Sequence, residues 1–189
     1  MPMTISELSA IATRASIEFS LDKEGSLLEA AWDCKHYQCD GRKSISLLLA
    51  LDEDGTYFHA FAPRIYNLAN CPHKGAAIEA MAMIAYETPY VGYEFDPSDG
   101  EVRATIEFPL GSASVTENQL SCVCGVLCEV IDQYDTVIRV AMESGVIDMT
   151  LQGKSIPSDS KDELRMLVEK VGGIDALRAL ARGETAPKN

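Results

Sequence analysis

The sequence predicts an α+β fold in which helices pack on a mainly antiparallel five-stranded sheet. Segments with alternating apolar residues occur in pairs joined by Asp-Gly turns, which is typical of β-hairpins. The segment from Val102 to Gly145 passes from an alternating strand through a polar turn into a long stretch whose apolar residues recur at helical spacing. These two patterns together indicate a sheet covered by at least one long helix.

Length and charge narrow the class of protein. The chain has 189 residues, of which 47% are hydrophobic, enough for one core and a tail. We predict a single domain over residues 1–145, followed by a connector and a helical tail over 146–189. The net charge of −13 opposes contact with phosphate backbones, so we expect no nucleic-acid partner. Because neither a membrane-spanning run nor a secretion signal is visible, we expect a cytoplasmic protein with no membrane association.

The first half of the domain is predicted to hold one helix and three strands. Thr4 and Glu7 have the spacing of a capping box, and an apolar helical stripe follows them. Alternation of apolar and polar residues predicts strands near 28–36, 43–51 and 56–62. The Asp-Gly segment 52–55 turns the second strand into the third. Pro63 lacks a backbone donor and is therefore predicted to end the third strand.

The second half is predicted to hold two helices and two strands. An Ala-rich helix over 74–87 should be buried against the sheet, and strands are expected near 90–95 and 101–108. A long helix near 116–144 begins at Thr116, which has capping-box spacing to Gln119, and ends at Gly145. The tail is predicted to contain three elements: an edge strand over 147–151 and helices over 161–171 and 174–181.

Two stretches of the sequence resemble a known family. LLLALDEDGTYFHAFAP resembles the strand-turn-strand of YbjN-type domains, and VRATIEFPLGSASVTENQLSCVCGVLCEVIDQYDTVIRVAMESG resembles their closing strand, polar turn and long helix. The resemblance covers residues 17–145. YbjN-type proteins are proposed sensory-transduction regulators, and their fold is similar to that of class I type III secretion chaperones. Those chaperones are small, acidic, dimeric α+β proteins that bind extended segments of other proteins.

The resemblance implies a non-catalytic, homodimeric regulator or chaperone-like adaptor with a protein or peptide partner and no cofactor. Aromatic residues point to where that partner could bind. Because side chains alternate along a strand, Tyr57 and Phe61 cannot share a face with Phe58, and one of the two sets needs a second cover. A second subunit, the tail or a client peptide could provide it. With two residues of the long helix, the predicted partner-binding set is Tyr57, Phe58, Phe61, Leu127 and Tyr134.

The alternative is a thiol- or zinc-dependent enzyme. Cys34 with His36, and Cys71 with His73, each place a thiol and an imidazole two positions apart. On a strand, residues two apart point to the same face, as two ligands of one zinc ion must. No Cys-x2-Cys knuckle accompanies them, and Cys34 is equally explained as an inward-facing neighbour of Trp32.

Two further groups of residues are better explained by structure than by chemistry. Cys124 and Cys128 share one face of the long helix, but Cys122 does not, which excludes a three-thiolate site and favours packing. The Asp-Gly segments 52–55 and 96–100 lack the closing Glu of a calcium loop and are predicted to be turns.

Overall fold

The computed structural model describes residues 2–39 and 41–154. The elements follow the order α1 (Ile5–Arg14), β1 (Phe19–Leu21), β2 (Leu27–Asp33), β3 (Ser44–Asp52), β4 (Tyr57–Asn67), α2 (Lys74–Glu87), β5 (Gly92–Phe95), β6 (Glu101–Pro109) and α3 (Glu117–Ser144). Short 3-10 helices span Glu53–Gly55 and Met149–Leu151. None of the helices in this part of the chain is long and apolar enough to span a membrane.

The strands form one antiparallel sheet in the order β1-β2-β3-β4-β6-β5. The α+β class and the antiparallel pairing are as the sequence predicts, but the sheet has six strands, not five. The additional strand is β1, which has only three residues at the sheet edge. A strand this short is below the length at which alternation can be recognised.

The two faces of the sheet differ sharply in burial. On one face, called the helix face, the side chains are buried beneath the helices; they include Leu28, Ala30, Leu47, Leu49, Phe58, Ala60, Val102 and Ala104. The opposite face, called the outer face, carries the alternate residues, of which Glu29, Ala31, Ser46 and Glu107 are exposed. The helices therefore form a single layer, and the core lies between that layer and the helix face.

Helix α3 is the centre of the helix layer. Thr116 and Gln119 form the predicted capping box: the Gln119 amide donates to Thr116 Oγ1 at 3.2 Å, and the Thr116 amide donates to Gln119 Oε1 at 2.9 Å. Gly145, with φ of 75°, ends the helix in the left-handed conformation. Along its length α3 contacts α1, α2, β4 and β6. The predicted boundaries of this helix are confirmed.

Two local predictions are corrected, and a third falls outside the described residues. Pro63 does not end its strand, because the register shifts between Ala62 and Tyr66 and the proline lies within that irregularity, where the ladder requires no donor from it. The predicted edge strand at 147–151 is instead an irregular segment with a 3-10 turn, since the Asp148 side chain caps the Thr150 amide at 2.9 Å. The predicted helices over 161–171 and 174–181 lie outside the described residues.

Gly55 offers a test of the β3–β4 turn. Its φ is +85°, its carbonyl accepts from the Met3 amide at 3.0 Å, and an added Cβ would lie 2.0 Å from the Met3 carbonyl oxygen. Gly111 also has a positive φ, +61°, but open space around it. We expect Gly111→Ala to cost about 1 kcal/mol of unfolding free energy from backbone strain alone. Gly55→Ala should cost about 1 to 3 kcal/mol more because the N-terminal segment must move. Urea unfolding measures both, and equal losses would contradict the contact.

Candidate protein-binding surfaces

The outer face presents apolar side chains at its centre. Leu48 of β3 lies opposite Phe61 of β4. Tyr57 lies on the same face at the start of β4, four positions before Phe61. All three side chains are partly exposed. Carboxylates surround them, since Glu29, Asp52, Glu94 and Glu107 lie on the same face. The outer face thus has an apolar centre with an acidic rim, and no helix among residues 2–39 and 41–154 covers it.

His59 is buried on this face together with Thr105. Its ring stacks on Phe61, with 4.6 Å between the ring centroids, and its Nε2 lies 2.7 Å from Thr105 Oγ1. Nδ1 lies 3.8 Å from Asp52 Oδ2, and Nε2 lies 3.9 Å from Glu107 Oε2. These neighbours hold the imidazole in place beneath the aromatic ring. Phe61 is therefore presented to solvent on a fixed support.

Phe61 has a cation on its other side. The Arg103 guanidinium lies 5.5 Å from the Phe61 ring centroid, within the range of a cation–π contact. Arg103 also pairs with Glu94, its neighbour on β5. Because both charges of this pair are exposed, the pair itself contributes little to stability. Its effect is to fix the position of the guanidinium next to the aromatic ring.

A second apolar surface lies on α2. The buried side of this helix packs through Ala77, Ala80, Met81 and Ile84. Its opposite side, called the α2 stripe, presents apolar residues to solvent: Ile78, Ala82, Met83 and Tyr86, with Tyr90 just beyond the helix. Tyr86 is 92% exposed and Tyr90 is 86% exposed. The prediction that this helix is simply buried against the sheet therefore holds for one side only.

The predicted partner-binding residues fall into two groups. Tyr57 and Phe61 lie on the outer face and are accessible, as the alternation argument required. Phe58 and Leu127 are 0% exposed and belong to the core between sheet and helices. Tyr134 is 5% exposed, and its hydroxyl donates to Glu87 of α2 at 3.4 Å. In the folded chain these last three residues are buried, so a partner cannot reach them. The sequence pattern could not distinguish them from the accessible residues, because it does not show which apolar face the helices cover.

The residues of the enzyme alternative are not assembled into a site. Cys34 and His36 follow β2 beside the middle of α3, whereas Cys71, which donates to the Met142 carbonyl at 3.4 Å, lies near the end of α3 with His73. Among the described residues, no three His, Cys, Asp or Glu side chains are close enough to hold a metal ion. Burial raises the pKa of the Cys34 thiol to about 12, with the nearby Asp132 carboxylate adding to the effect. Such a thiol is protonated near neutral pH and is a poor nucleophile.

The other clustered cysteines are structural. Cys124 and Cys128 are buried on α3, while Cys122 is exposed. Burial raises the pKa of the Cys124 thiol to about 12 and also raises that of Cys128. The predicted separation of Cys122 from the other two on the helix surface is confirmed. These thiols act as small apolar side chains in the core.

An ion pair within α3, between Asp135 and Arg139, is joined to the sheet by Tyr66 of β4. Both oxygens of the Asp135 carboxylate accept from Arg139 Nε, at 2.9 and 2.8 Å, and the Tyr66 hydroxyl donates to Oδ1 at 3.0 Å. The Arg139 guanidinium lies 5.9 Å from the Tyr37 ring centroid and 5.6 Å from that of Tyr66. Burial raises the pKa of Asp135, and the Arg139 charge and hydrogen bonds oppose that rise. Sequence reasoning missed this network, because Tyr37 and Tyr66 lie 69 to 102 positions away from Asp135 and Arg139 in the chain.

Solved structures match this fold. The chain superimposes on YbjN from E. coli, a proposed transcription regulator, with a TM-score of 0.52 and 10% identity over 71% of this chain and 92% of YbjN. A chain of the HopA1–SchA chaperone–effector complex gives a TM-score of 0.43 and 14% identity over 68% of this chain and 94% of that one. No family model and no curated protein sequence matches the chain. The protein therefore has a YbjN-like α+β fold, as the sequence resemblance implied.

Arg139→Met should destabilise the protein by roughly 3 kcal/mol near neutral pH, because it leaves the Asp135 carboxylate buried without its counterion. Without Arg139, the pKa of Asp135 rises further in the folded state, and the folded chain binds a proton more readily than the unfolded chain. Stability of the variant relative to wild type should therefore recover as pH falls toward about 5. Unfolding curves at both pH values measure this.

Arg14→Met is the matched control for this prediction. Arg14 pairs with Glu117 at 2.5 Å, but about half of each side chain is exposed. Removing it should change the unfolding free energy little, with no comparable recovery at acid pH. A similar loss in both variants, or a penalty of Arg139→Met that grows at low pH, would contradict the role assigned to the pair.

Proposed function

We propose that this protein is a non-catalytic adaptor or regulator that binds a segment of another protein on its outer face and forms a homodimer through α2. The observation that carries the proposal is the partly exposed pair Leu48 and Phe61 in the middle of the outer face, with Tyr57 at the start of β4 on the same face, which bears no helix in the described part of the chain. Large apolar side chains grouped on a surface are typical of protein interaction sites.

The chemistry of the outer face supports binding to a polypeptide. Aromatic side chains give large contact areas at low entropic cost, and residues of this type dominate the energetics of protein interfaces. Phe61 is supported from below by His59 and flanked by Arg103, so little of its conformational freedom remains to be lost on binding. The flat face and its acidic rim suit an amphipathic segment with apolar anchors.

The α2 stripe supports the homodimer. Proteins seldom leave a tyrosine as exposed as Tyr86 beside Ile78 and Met83 on one helix side. Pairing of two stripes across a twofold axis would bury all of these residues at once, because each copy supplies the same surface. Gly75 and Ala82 on the same side have small side chains and would let the two helices approach closely.

The non-catalytic character rests on the chemistry of the candidate residues. The cysteine–histidine pairs of the enzyme alternative lie apart, one beside the middle of α3 and the other near its end, and Cys34 is a protonated thiol near neutral pH. The likeness to YbjN, a proposed regulator, agrees with a binding role. A regulator of this kind acts by binding and releasing a protein partner.

Replacement of both outer-face aromatics tests the partner site. We expect Tyr57→Ala/Phe61→Ala to lower recovery of the bound partner by about tenfold or more, as loss of central interface aromatics does. The tagged full-length chain, expressed in its source cells, is purified with its bound proteins, which are quantified by mass spectrometry. Leu21→Ala is the control, since Leu21 is also an exposed apolar residue but lies on the helix face. Equal recovery from all three chains would contradict the proposal.

Tyr86→Glu tests the dimer. The wild-type chain, of 20.5 kDa, should have twice that mass by light scattering, and the variant should have the monomer mass because two opposed glutamates repel across the twofold axis. Thr13→Glu adds the same charge to an exposed position of α1 and should leave the dimer intact. A monomeric wild type, or a variant that remains dimeric, would show that the α2 stripe is not the interface.

A further inference from the structure

A groove lies on the helix side of the molecule, between the end of β2 and the middle of α3. Its volume is about 540 Å³. Trp32, Gly125 and Cys128 line it with apolar surface. Its charged and titratable lining consists of the three acidic residues Asp33, Glu129 and Asp132 together with Lys35 and His36, so carboxylates outnumber the one lysine. This groove is separate from the outer face and from the α2 stripe, and it contributes nothing to the function proposed above.

The walls of the groove are fixed in place. The Asp132 carboxylate accepts three backbone amides of the segment after β2, from Lys35 at 3.1 Å, His36 at 2.7 Å and Tyr37 at 2.8 Å. Burial acts to raise the pKa of Asp132, but these amides hold it below its ordinary value. The carboxylate is therefore ionised and already paired with donors. It ties the segment to α3 and leaves Asp33 and Glu129 as the acidic groups that can meet an incoming cation.

The last described residues of the chain lie at the edge of this groove. Gln152 and Gly153 line it, and both are anchored to α3: the Gly153 amide donates to the Gln133 carbonyl at 2.7 Å, and the Gln152 side chain donates to that of Gln133 at 2.9 Å. Thr136 also donates to the Lys154 carbonyl. Residues 155–189 therefore continue from the edge of the groove.

We propose that residues 161–171 bind in this groove as an amphipathic helix and cover Trp32. Their apolar residues recur at helical spacing on one side: Leu164, Leu167, Val168 and Val171. Lys161 and Arg165 border that side one turn apart, where they can meet Asp33 and Glu129. Six residues, 155–160, separate Lys154 from the proposed helix, enough to span about 23 Å when extended, so the segment can turn back onto the groove from its edge.

Charge favours this occupant over a second copy of the domain. Residues 155–189 contain six basic and six acidic residues, so the whole net charge of −13 belongs to the rest of the chain. A neutral segment with basic residues beside its apolar stripe meets an acidic groove without the repulsion that two acidic domains would experience. Its tether also raises its effective concentration at the groove to the millimolar range.

Trp32 reports directly on occupancy, because it is the one tryptophan in the sequence. In the full-length chain we expect acrylamide to quench Trp32 fluorescence weakly. Leu164→Asp/Leu167→Asp should raise the quenching constant roughly twofold and shift the emission to longer wavelength, since an uncovered indole meets water. Thr185→Asp/Asn189→Asp adds the same charge away from the apolar stripe and should behave as wild type.

A charge exchange tests the groove side without disturbing the stripe. Glu129→Arg should raise quenching, and adding Arg165→Glu to that variant should restore protection. Protection of the wild type should be the same at low and high protein concentration, as binding within one chain requires. Equal quenching in the wild type and the Leu164→Asp/Leu167→Asp variant would overturn the proposal, as would protection that increases with protein concentration, which would place another copy in the groove.

Discussion

The structure depends on the burial of one side of α3. Thirteen of its residues are buried, from Leu120 to Ala141, and both other helices pack against it. Because burial of apolar surface contributes about 25 cal/mol per Å², the burial of these residues is a major source of the stability of the fold. Because α1 and α2 meet the sheet largely beside α3, a shift of this helix would displace the whole helix layer. Without the helices, the apolar side chains of the helix face would be exposed to water.

The same helix also fixes the polar parts of the molecule. Asp132 and Asp135 are three positions apart and so lie near each other on α3. One binds the amides after β2, and the other joins Arg139 and the Tyr66 hydroxyl of β4. Buried ion pairs add little net stability compared with apolar packing, but an unpaired partner is costly. These carboxylates therefore set where α3 lies along the strands more than how strongly it binds.

Local patterns were sufficient to predict most of the fold, and burial explains the exceptions. The α3 capping box and its Gly145 end are short-range signals, and they gave the correct boundaries. The three-residue β1 and the continuation of β4 through Pro63 depend on neighbouring strands, which one segment cannot reveal. Alternation separated Tyr57 and Phe61 from Phe58, but it could not assign the core to either set. The sequence shows the apolar residues of the α2 stripe with one charged residue, Glu79, among them. It does not show that these apolar residues face solvent and not the core.

The single helix layer explains why two surfaces of such different kinds remain. A two-layer fold buries one face of the sheet and one side of each helix, and the reverse sides are normally polar. Here the outer face of the sheet presents large apolar side chains around Phe61, and carboxylates lie near them on the same face. The exposed side of α2 carries the apolar residues Ile78, Met83 and Tyr86, with Glu79 as the one charged residue among them. The first arrangement suits a partner selected by charge and aromatic contact, whereas the second suits permanent burial. The proposed partner site and the proposed dimer interface therefore share no residues.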